Sequence, residues 1–275
     1  MDVQICSLNS GSNGNCYYIG TPQEAVLIDA GISCRETEKR MKRQGLSMEK
    51  VKAIFVSHEH SDHIRGIPVL ARKYKLPVYI TDTTLRHSGL SFNRLDFLPF
   101  EAYAPIQVGD LSITAFPKWH DAIDPHSFVV RYNQINIGIF TDIGAPCQHL
   151  IKHMQECHAV FLEANYDEEM LANGRYPYYL KRRISGEKGH LSNWQALELL
   201  MTYKPAHLSH VLLSHLSQEN NSPQLVESLF ATHNPELQVV VASRFQETEV
   251  FSISQTPSTP VKKRPVTVQT QLFPL

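Results

Sequence analysis

The chain has 275 residues, 42% of them hydrophobic, and a formal net charge of −1. That is enough apolar material for a sizeable core, without the overall basic surplus that binds nucleic acid indiscriminately. No run of about 18 apolar residues could span a bilayer and Met1-Asp2-Val3-Gln4 does not open a secretory leader, so a cytoplasmic location is expected.

In chain order, Val3 to Leu8, Cys16 to Ile19 and Ala25 to Asp29 read as strands of a meander, the first two joined by the loop Asn9-Ser10-Gly11-Ser12-Asn13-Gly14-Asn15. A helix over Ser33 to Gln44 stops at Gly45. The apolar run from Val51 to Val56 is expected to be a buried strand ending at Ser57, and Asp62 to Tyr74 has the apolar spacing of one helix. Val78 to Thr81, Leu111 to Phe116, Ser127 to Tyr132 and Ile135 to Thr141 continue as strands. After Asp142 come a helix around His149 to Glu156, a strand from Ala159 to Leu162 and a long basic loop. Ser192-Asn193-Trp194-Gln195 is a capping box that opens a helix reaching Tyr203. A strand over Leu208 to Ser214, a helix from Ser222-Pro223 to Thr232, and strands over Val239 to Val241 and Glu249 to Ile253 complete the folded part. From Gln255 onward Pro, Thr, Ser, Lys and Arg dominate. A domain over residues 1–254 and a disordered tail over 255–275 are expected.

The chemistry concentrates in His58-Glu59-His60-Ser61-Asp62-His63, which sets four metal-ligand side chains in six residues at a strand end. Asp62 and His63 fall at a helix start while His58 and His60 precede it, so two groups of ligands project from one short loop, as a two-metal centre requires. Trp119-His120-Asp121, Thr141-Asp142-Ile143-Gly144 and Leu213-Ser214-His215 each put a further ligand after a strand. The C-terminal edge of an α/β sheet is where sites gather, so these segments are expected to converge. Cys6, Cys16, Cys34, Cys147 and Cys157 are odd in number and lack C-x-x-C spacing, which argues against both disulfides and thiolate-bound zinc.

The order Asp29, His-x-His-x-Asp-His, His120, Asp142, His215 resembles the metallo-β-lactamase superfamily. The segments Ser10-Gly11-Ser12-Asn13-Gly14-Asn15-Cys16, Gly189-His190-Leu191-Ser192-Asn193 and Ser214-His215-Leu216-Ser217-Gln218-Glu219-Asn220-Asn221 are similar to its YycJ/WalJ branch, which is associated with exonuclease activity on DNA. The resemblance implies an α/β fold, a four-layer αβ/βα sandwich of two mixed sheets flanked by helices. It also assigns ligands: His58, His60 and His120 to one ion, Asp62, His63 and His215 to the other, and Asp142 between them. His126 is the alternative to His120. Asp29 is expected to brace the metal loop without touching metal. Histidine and carboxylate donors suit zinc, manganese or iron, leaving the identity of the two divalent ions open.

Two ions about 3.5–4 Å apart activate water and bind the phosphoryl oxygens it attacks. A leaving-group acid is then needed, and similar phosphodiesterases use a histidine in a Gly-His-x-Ser/Thr context; His190 matches, with Glu163 as its orienting carboxylate. Between Asn173 and His190 five basic residues (Arg175, Lys181, Arg182, Arg183, Lys188) face one acid, Glu187. Arg175, Lys181, Arg182 and Arg183 are therefore expected to contact phosphates, with Tyr176, Tyr178 and Tyr179 available for bases. Ser10, Ser12 and Asn13 are candidates for a terminal phosphate. The interval from Asn165 to His190 is too short for the large cap domain of some nuclease relatives, so a fairly open site is expected. In the tail, Gln269, Leu272 and Phe273 form a Gln-x-x-Leu-Phe pattern resembling peptides that bind the DNA sliding clamp. The resulting expectation is a DNA exonuclease of repair or genome maintenance. Its rivals are a hydrolase of RNA, a small ester or a thioester on the same fold, and a nonenzymatic metal-stabilised DNA- or clamp-binding module.

Overall fold

Both faces of the central strands are apolar, so they must be covered on both sides. In β1 (Val3–Asn9), β2 (Cys16–Gly20), β3 (Ala25–Ile28) and β4 (Val51–Phe55), Ile5, Tyr17, Ile19, Ile28 and Phe55 turn to one side while Cys6, Leu8, Tyr18, Leu27 and Ile54 turn to the other. With β5 (Val78–Tyr79), β6 (Phe97–Leu98) and β14 (Phe251–Ile253) they form a seven-stranded sheet, ordered β14-β1-β2-β3-β4-β5-β6.

A second seven-stranded sheet is assembled from β7 (Ile106–Val108), β8 (Leu111–Pro117), β9 (His126–Tyr132), β10 (Ile135–Phe140), β11 (Ala159–Glu163), β12 (His210–Ser214) and β13 (Gln238–Val241), ordered β13-β12-β11-β10-β9-β8-β7. Each sheet is mixed: β3 to β6 run parallel in the first and β10 to β13 in the second, with antiparallel pairs beside them. The inner faces pack together through Ile5, Ile28, Phe55, Phe128, Ile137 and Phe161. Helices α1 (Cys34–Arg43), α3 (Ile67–Tyr74) and α4 (Asp82–His87) cover the outside of the first sheet, and α5 (Gln148–Met154), α8 (Asn193–Tyr203) and α9 (Pro223–His233) that of the second. This is the expected four-layer αβ/βα sandwich.

The computed structural model describes residues 2–90 and 95–255; most of the tail, including Gln269, Leu272 and Phe273, lies outside them. Among the described residues no helix is long and apolar enough to cross a membrane, and the five cysteines are free thiols.

Two readings change. Asp62 to Tyr74 is not one helix but α2 (Ser61–Ile64) and α3, separated at Arg65-Gly66. Gly66 donates to Ala30 O at 2.8 Å, and a Cβ there would sit 1.9 Å from Ile32 O, so close packing against the loop after β3 breaks the helix. The basic loop contains α6 (Glu168–Asn173), capped by the Asp167 carboxylate, and α7 (Tyr178–Ile184), which starts after Pro177. The short β6 and β7 and the six-residue α4 carry too little periodicity to be read from sequence.

The loop after β3 also touches the ligand loop. Asn15 N donates to Asp62 O at 2.7 Å, and Ala30 N to His63 O at 2.8 Å. Gly31 fits between them: a Cβ on it would lie 1.6 Å from Asp62 O. Gly31→Ala should therefore displace the ligand loop and destabilise the protein by about 2 kcal/mol or more. Gly45→Ala, left-handed at φ +67° but with nothing within 4 Å of the added carbon, should cost about 1 kcal/mol and leave metal content unchanged. Urea unfolding with metal analysis of both variants checks this.

Candidate metal centre

Candidate ligands gather where β4, β8, β10 and β12 end. After β4, the chain turns at Ser57 and delivers His58, His60, Asp62 and His63; the loop after β8 delivers His120, and single turns after β10 and β12 deliver Asp142 and His215. Asp142 and His215, with Asp29 at the end of β3, all adopt left-handed backbone conformations (φ 55°, 57° and 60°). Such a conformation costs a non-glycine residue about 1 kcal/mol or more. Each is held there by the contacts its side chain or backbone makes at the site.

The donor atoms form two groups around one carboxylate. His58, His60 and His120 make the first, with His58 Nε2 and His60 Nδ1 3.0 Å apart; Asp62, His63 and His215 make the second. Asp62 Oδ2 stands 3.4 Å from His63 Nε2 and 3.5 Å from His215 Nε2. Between the groups, Asp142 Oδ2 faces His63 Nε2 at 3.5 Å, and its Oδ1 faces His215 Nε2 at 3.4 Å and His120 Nε2 at 3.9 Å.

Four of the rings are locked through Nδ1. His63 Nδ1 meets Asp29 Oδ2 at 2.7 Å, His58 Nδ1 meets Ser57 Oγ at 2.9 Å, His120 Nδ1 donates to Gly189 O at 3.1 Å, and His215 Nδ1 meets Glu163 Oε1 at 3.2 Å. This fixes each tautomer and leaves Nε2 for the cluster, as in metal-binding histidines generally. Asp29 also accepts from Ser57 N and Oγ, both at 2.8 Å, so it braces the loop. Among the described residues, His120 Nε2, Asp142 Oδ2 and His215 Nε2 are buried without a hydrogen-bond partner. Buried polar atoms of this kind need one, and a divalent cation fits three of them at once.

The electrostatics agree. Burial disfavours a proton on His58, His63, His120 and His215, but at His63 the Asp142, Asp29 and Asp62 carboxylates outweigh it and hold the imidazole well above its usual range. At His215 burial is outweighed by Asp142, Asp62 and Glu163, which lift it to about 10. At His58 and His120 burial wins and lowers both, His120 to about 3. Asp62 and Asp142 stay ionised despite burial because His63 and His215 face them. A divalent cation entering this cluster competes with protons for ligands that are already charged.

His190 stands beside the cluster on the loop before α8. Its Nδ1 meets Glu163 Oε1 at 2.7 Å, and its ring packs 5.2 Å from those of His120 and His215. Glu163, fully buried at the end of β11, accepts from Ile143 N at 2.7 Å and Leu191 N at 3.2 Å through Oε2. One carboxylate thus orients both His190 and His215. An open cleft of about 260 Å³ over the cluster is lined by Asp62, His120, Asp142, His190 and His215 and walled by Tyr176, Leu180, Arg183 and Ile184 of the α7 region.

Other expectations separate. His126 lies on β9, its Nδ1 toward Asp124 O and its ring against Phe100, away from the donor atoms. Ser10 does not face substrate: it is buried, and its hydroxyl accepts from His215 N at 2.7 Å and meets Tyr17 Oη at 2.8 Å, so it supports a ligand turn. Ser12 and Asn13 are exposed, and Ser12 lines the cleft. Of the basic run only Arg183 reaches the cleft, paired with Asp121 at 2.5 Å. Lys181 donates to Ala172 O and, with Arg182, lines a separate pocket on the other face of α7; Arg175 is exposed and lines neither. A helix separates residues that a loop would have kept together.

Sequence reading missed Lys118, Asp121, Asn15 and Asn165. Buried Lys118 donates to Thr141 O at 2.7 Å, 4.0 Å from Asp142 Oδ2; Asp121 Oδ1 lies 3.4 Å from His120 Nε2. Asn15 Nδ2 reaches Asp62 Oδ2 at 3.1 Å, and Asn165 Nδ2 donates to His215 O at 2.7 Å. Asp121 follows His120 directly, which was a signal; the other three carry none.

A family model described as a beta-lactamase superfamily domain matches residues 24–215, which include every one of these candidate ligands. The chain belongs to the metallo-β-lactamase superfamily. Within it, the chain is 34% identical over 266 residues to exodeoxyribonuclease YycJ of Bacillus anthracis, covering 95% of this chain and 98% of that protein. It is 30% identical over 259 residues to exodeoxyribonuclease WalJ of Streptococcus pneumoniae, covering 92% and 96%. The metallo-β-lactamase fold protein YhfI of Bacillus subtilis superimposes with a TM-score of 0.71 at 16% identity, over 92% of this chain and all of that one, a likeness of fold. This superfamily member is a metal-dependent hydrolase with a divalent-metal site at the His/Asp clusters.

If metal binds the folded cluster, stripping it with a chelator should lower Tm by about 5–15 °C, reversed by adding back zinc or manganese. Differential scanning calorimetry of the full chain checks this; a Tm indifferent to chelation and reloading would place the metal elsewhere.

Proposed function

We propose that this hydrolase is a dinuclear phosphodiesterase that cuts DNA from an end, in repair or genome maintenance. The single observation that carries the reading is His190 over the Asp142 cluster, backed by buried Glu163. A thioester releases a thiolate that departs readily without a proton, whereas the sugar alkoxide leaving from a phosphodiester needs a proton donor at that place. The relatives named exodeoxyribonuclease, matched over nearly their whole length, support DNA as the substrate.

Two divalent ions at the clusters would supply Lewis-acid charge and an acidified water, the chemistry that phosphodiester hydrolysis requires. The chain does the rest. His58, His60 and His120 hold one position and Asp62, His63 and His215 the other, with Asp142 shared. Asp62 is the least buried of the carboxylates in the cluster, at 19% side-chain exposure, and lines the cleft, where its carboxylate would accept a proton from the attacking water. His190, gripped at Nδ1 by Glu163, turns Nε2 toward the cleft and donates a proton to the departing sugar oxygen. Arg183 and Tyr176 on the α7 wall contact the strand.

His190→Ala should lower kcat on DNA by about 10²–10⁴ while keeping its metal. Asp62→Ala should lose both activity and part of the metal. The assay uses 5′- and 3′-labelled single- and double-stranded DNA and RNA with manganese or zinc, which also separates DNA from RNA and fixes polarity. Full activity in either variant would remove that residue's role.

A further inference from the structure

The loop Ser10–Asn15 was expected to meet phosphate, yet Ser10 faces inward. The group that the loop is built around is Arg244, just beyond β13. Its backbone is pinned: Asn13 Nδ2 donates to Arg244 O at 3.0 Å, Ser10 N to Ser243 O at 3.2 Å, and the buried Arg40 guanidinium to Phe245 O at 3.1 Å. Gly11, at φ +136°, gives the side chain its seat; a Cβ on it would lie 2.9 Å from Arg244 Nη2 and 3.4 Å from Arg244 Cβ.

Among the described residues, the acceptors that hydrogen-bond the guanidinium are all neutral. Nη2 donates to Ser12 Oγ at 3.0 Å and toward Leu216 O at 3.5 Å, and Nη1 donates to Gln218 Oε1. Among the described residues no carboxylate forms an ion pair with it, whereas Arg183 in the cleft lining is neutralised by Asp121. Arg244 is partly buried, and burial lowers its pKa, with the charge of nearby Glu219, which makes no ion pair with it, only partly offsetting that. Ser12, Leu216 and Ser217 line the metal cleft on the side of Asp62 and His215. A fixed, partly desolvated guanidinium beside a hydroxyl at the rim of a phosphodiesterase cleft is a receptor for a dianionic phosphate.

We propose that Arg244, with Ser12, forms a subsite for the terminal phosphate of a nucleic-acid strand, setting the strand end at a fixed place beside the metal centre. The subsite rests on the phosphodiesterase reading for its occupant and deepens it. An end held there leaves the first internucleotide linkages over the cluster, so the device selects cutting from an end over cutting within a strand. Phe245, 76% exposed and next in the chain, is available to stack on the terminal base.

The test separates this from the activity itself. The full-length, metal-loaded protein is titrated with single-stranded octadeoxynucleotides whose internal linkages are uncharged methylphosphonates, ending in a 5′-phosphate, a 3′-phosphate or hydroxyls only. One phosphorylated form should bind about tenfold tighter than the hydroxyl form. Arg244→Gln should bind all three alike, at the wild-type affinity for hydroxyl ends and with unchanged metal content. Gly11→Ala, which displaces the guanidinium without removing it, should also lose the preference. Equal wild-type binding of all three ends, or an end preference that survives in Arg244→Gln, would overturn the subsite. A protein that prefers a phosphorylated end yet cleaves no nucleic acid would keep the subsite and refute the nuclease reading.

Discussion

Each imidazole of the cluster must be held by one nitrogen so that the other can face a shared carboxylate, and the rest of the site is arranged around that requirement. Asp29 and Ser57 hold the rings after β4, Gly189 O holds His120, and Glu163 holds His215 and His190 together. These partners come from strands and loops of both sheets, so the cluster exists only when the sandwich is closed. The left-handed turns at Asp29, Asp142 and His215 follow from the same demand: the chain leaves each strand abruptly to keep the donor atoms at its edge.

Glu163 ties two histidines of the site together. It is fully buried, accepts two backbone N–H groups and touches two histidines, His215 in the donor cluster and His190 beside it in the cleft lining. Its carboxyl is pulled down to about 2 despite burial, chiefly by His190. Neutralising it would free both rings at once, so the orientations of His215 and His190 are not independent.

Much of this was legible in the sequence because strongly local patterns encode it. The His58–His63 run, the strand-end positions of His120, Asp142 and His215, and the capping box at Ser192 all survive as read, since each depends on residues within one turn of chain. What failed to show depends on distant contact. Nothing local at Gly66 says that Ala30 O will take its N–H and split a helix, and nothing in Ser10 says that its hydroxyl will be used by His215. The charged run from Arg175 to Arg183 read as one patch, but α7 sorts its residues onto two faces, leaving Arg183 at the cleft and Lys181 and Arg182 behind it. Arg244 was invisible for the same reason: its meaning comes from Gly11 and Ser12, more than two hundred residues away.

The proposed hydrolase would need two cations that share Asp142 and work as a unit. This requirement is tested most directly by titrating the metal-stripped protein with manganese or zinc while following both bound metal and the rate of release from end-labelled DNA. The rate should stay low through the first equivalent and saturate when two are bound per chain. Full activity at one equivalent, or activity that persists without metal, would contradict it.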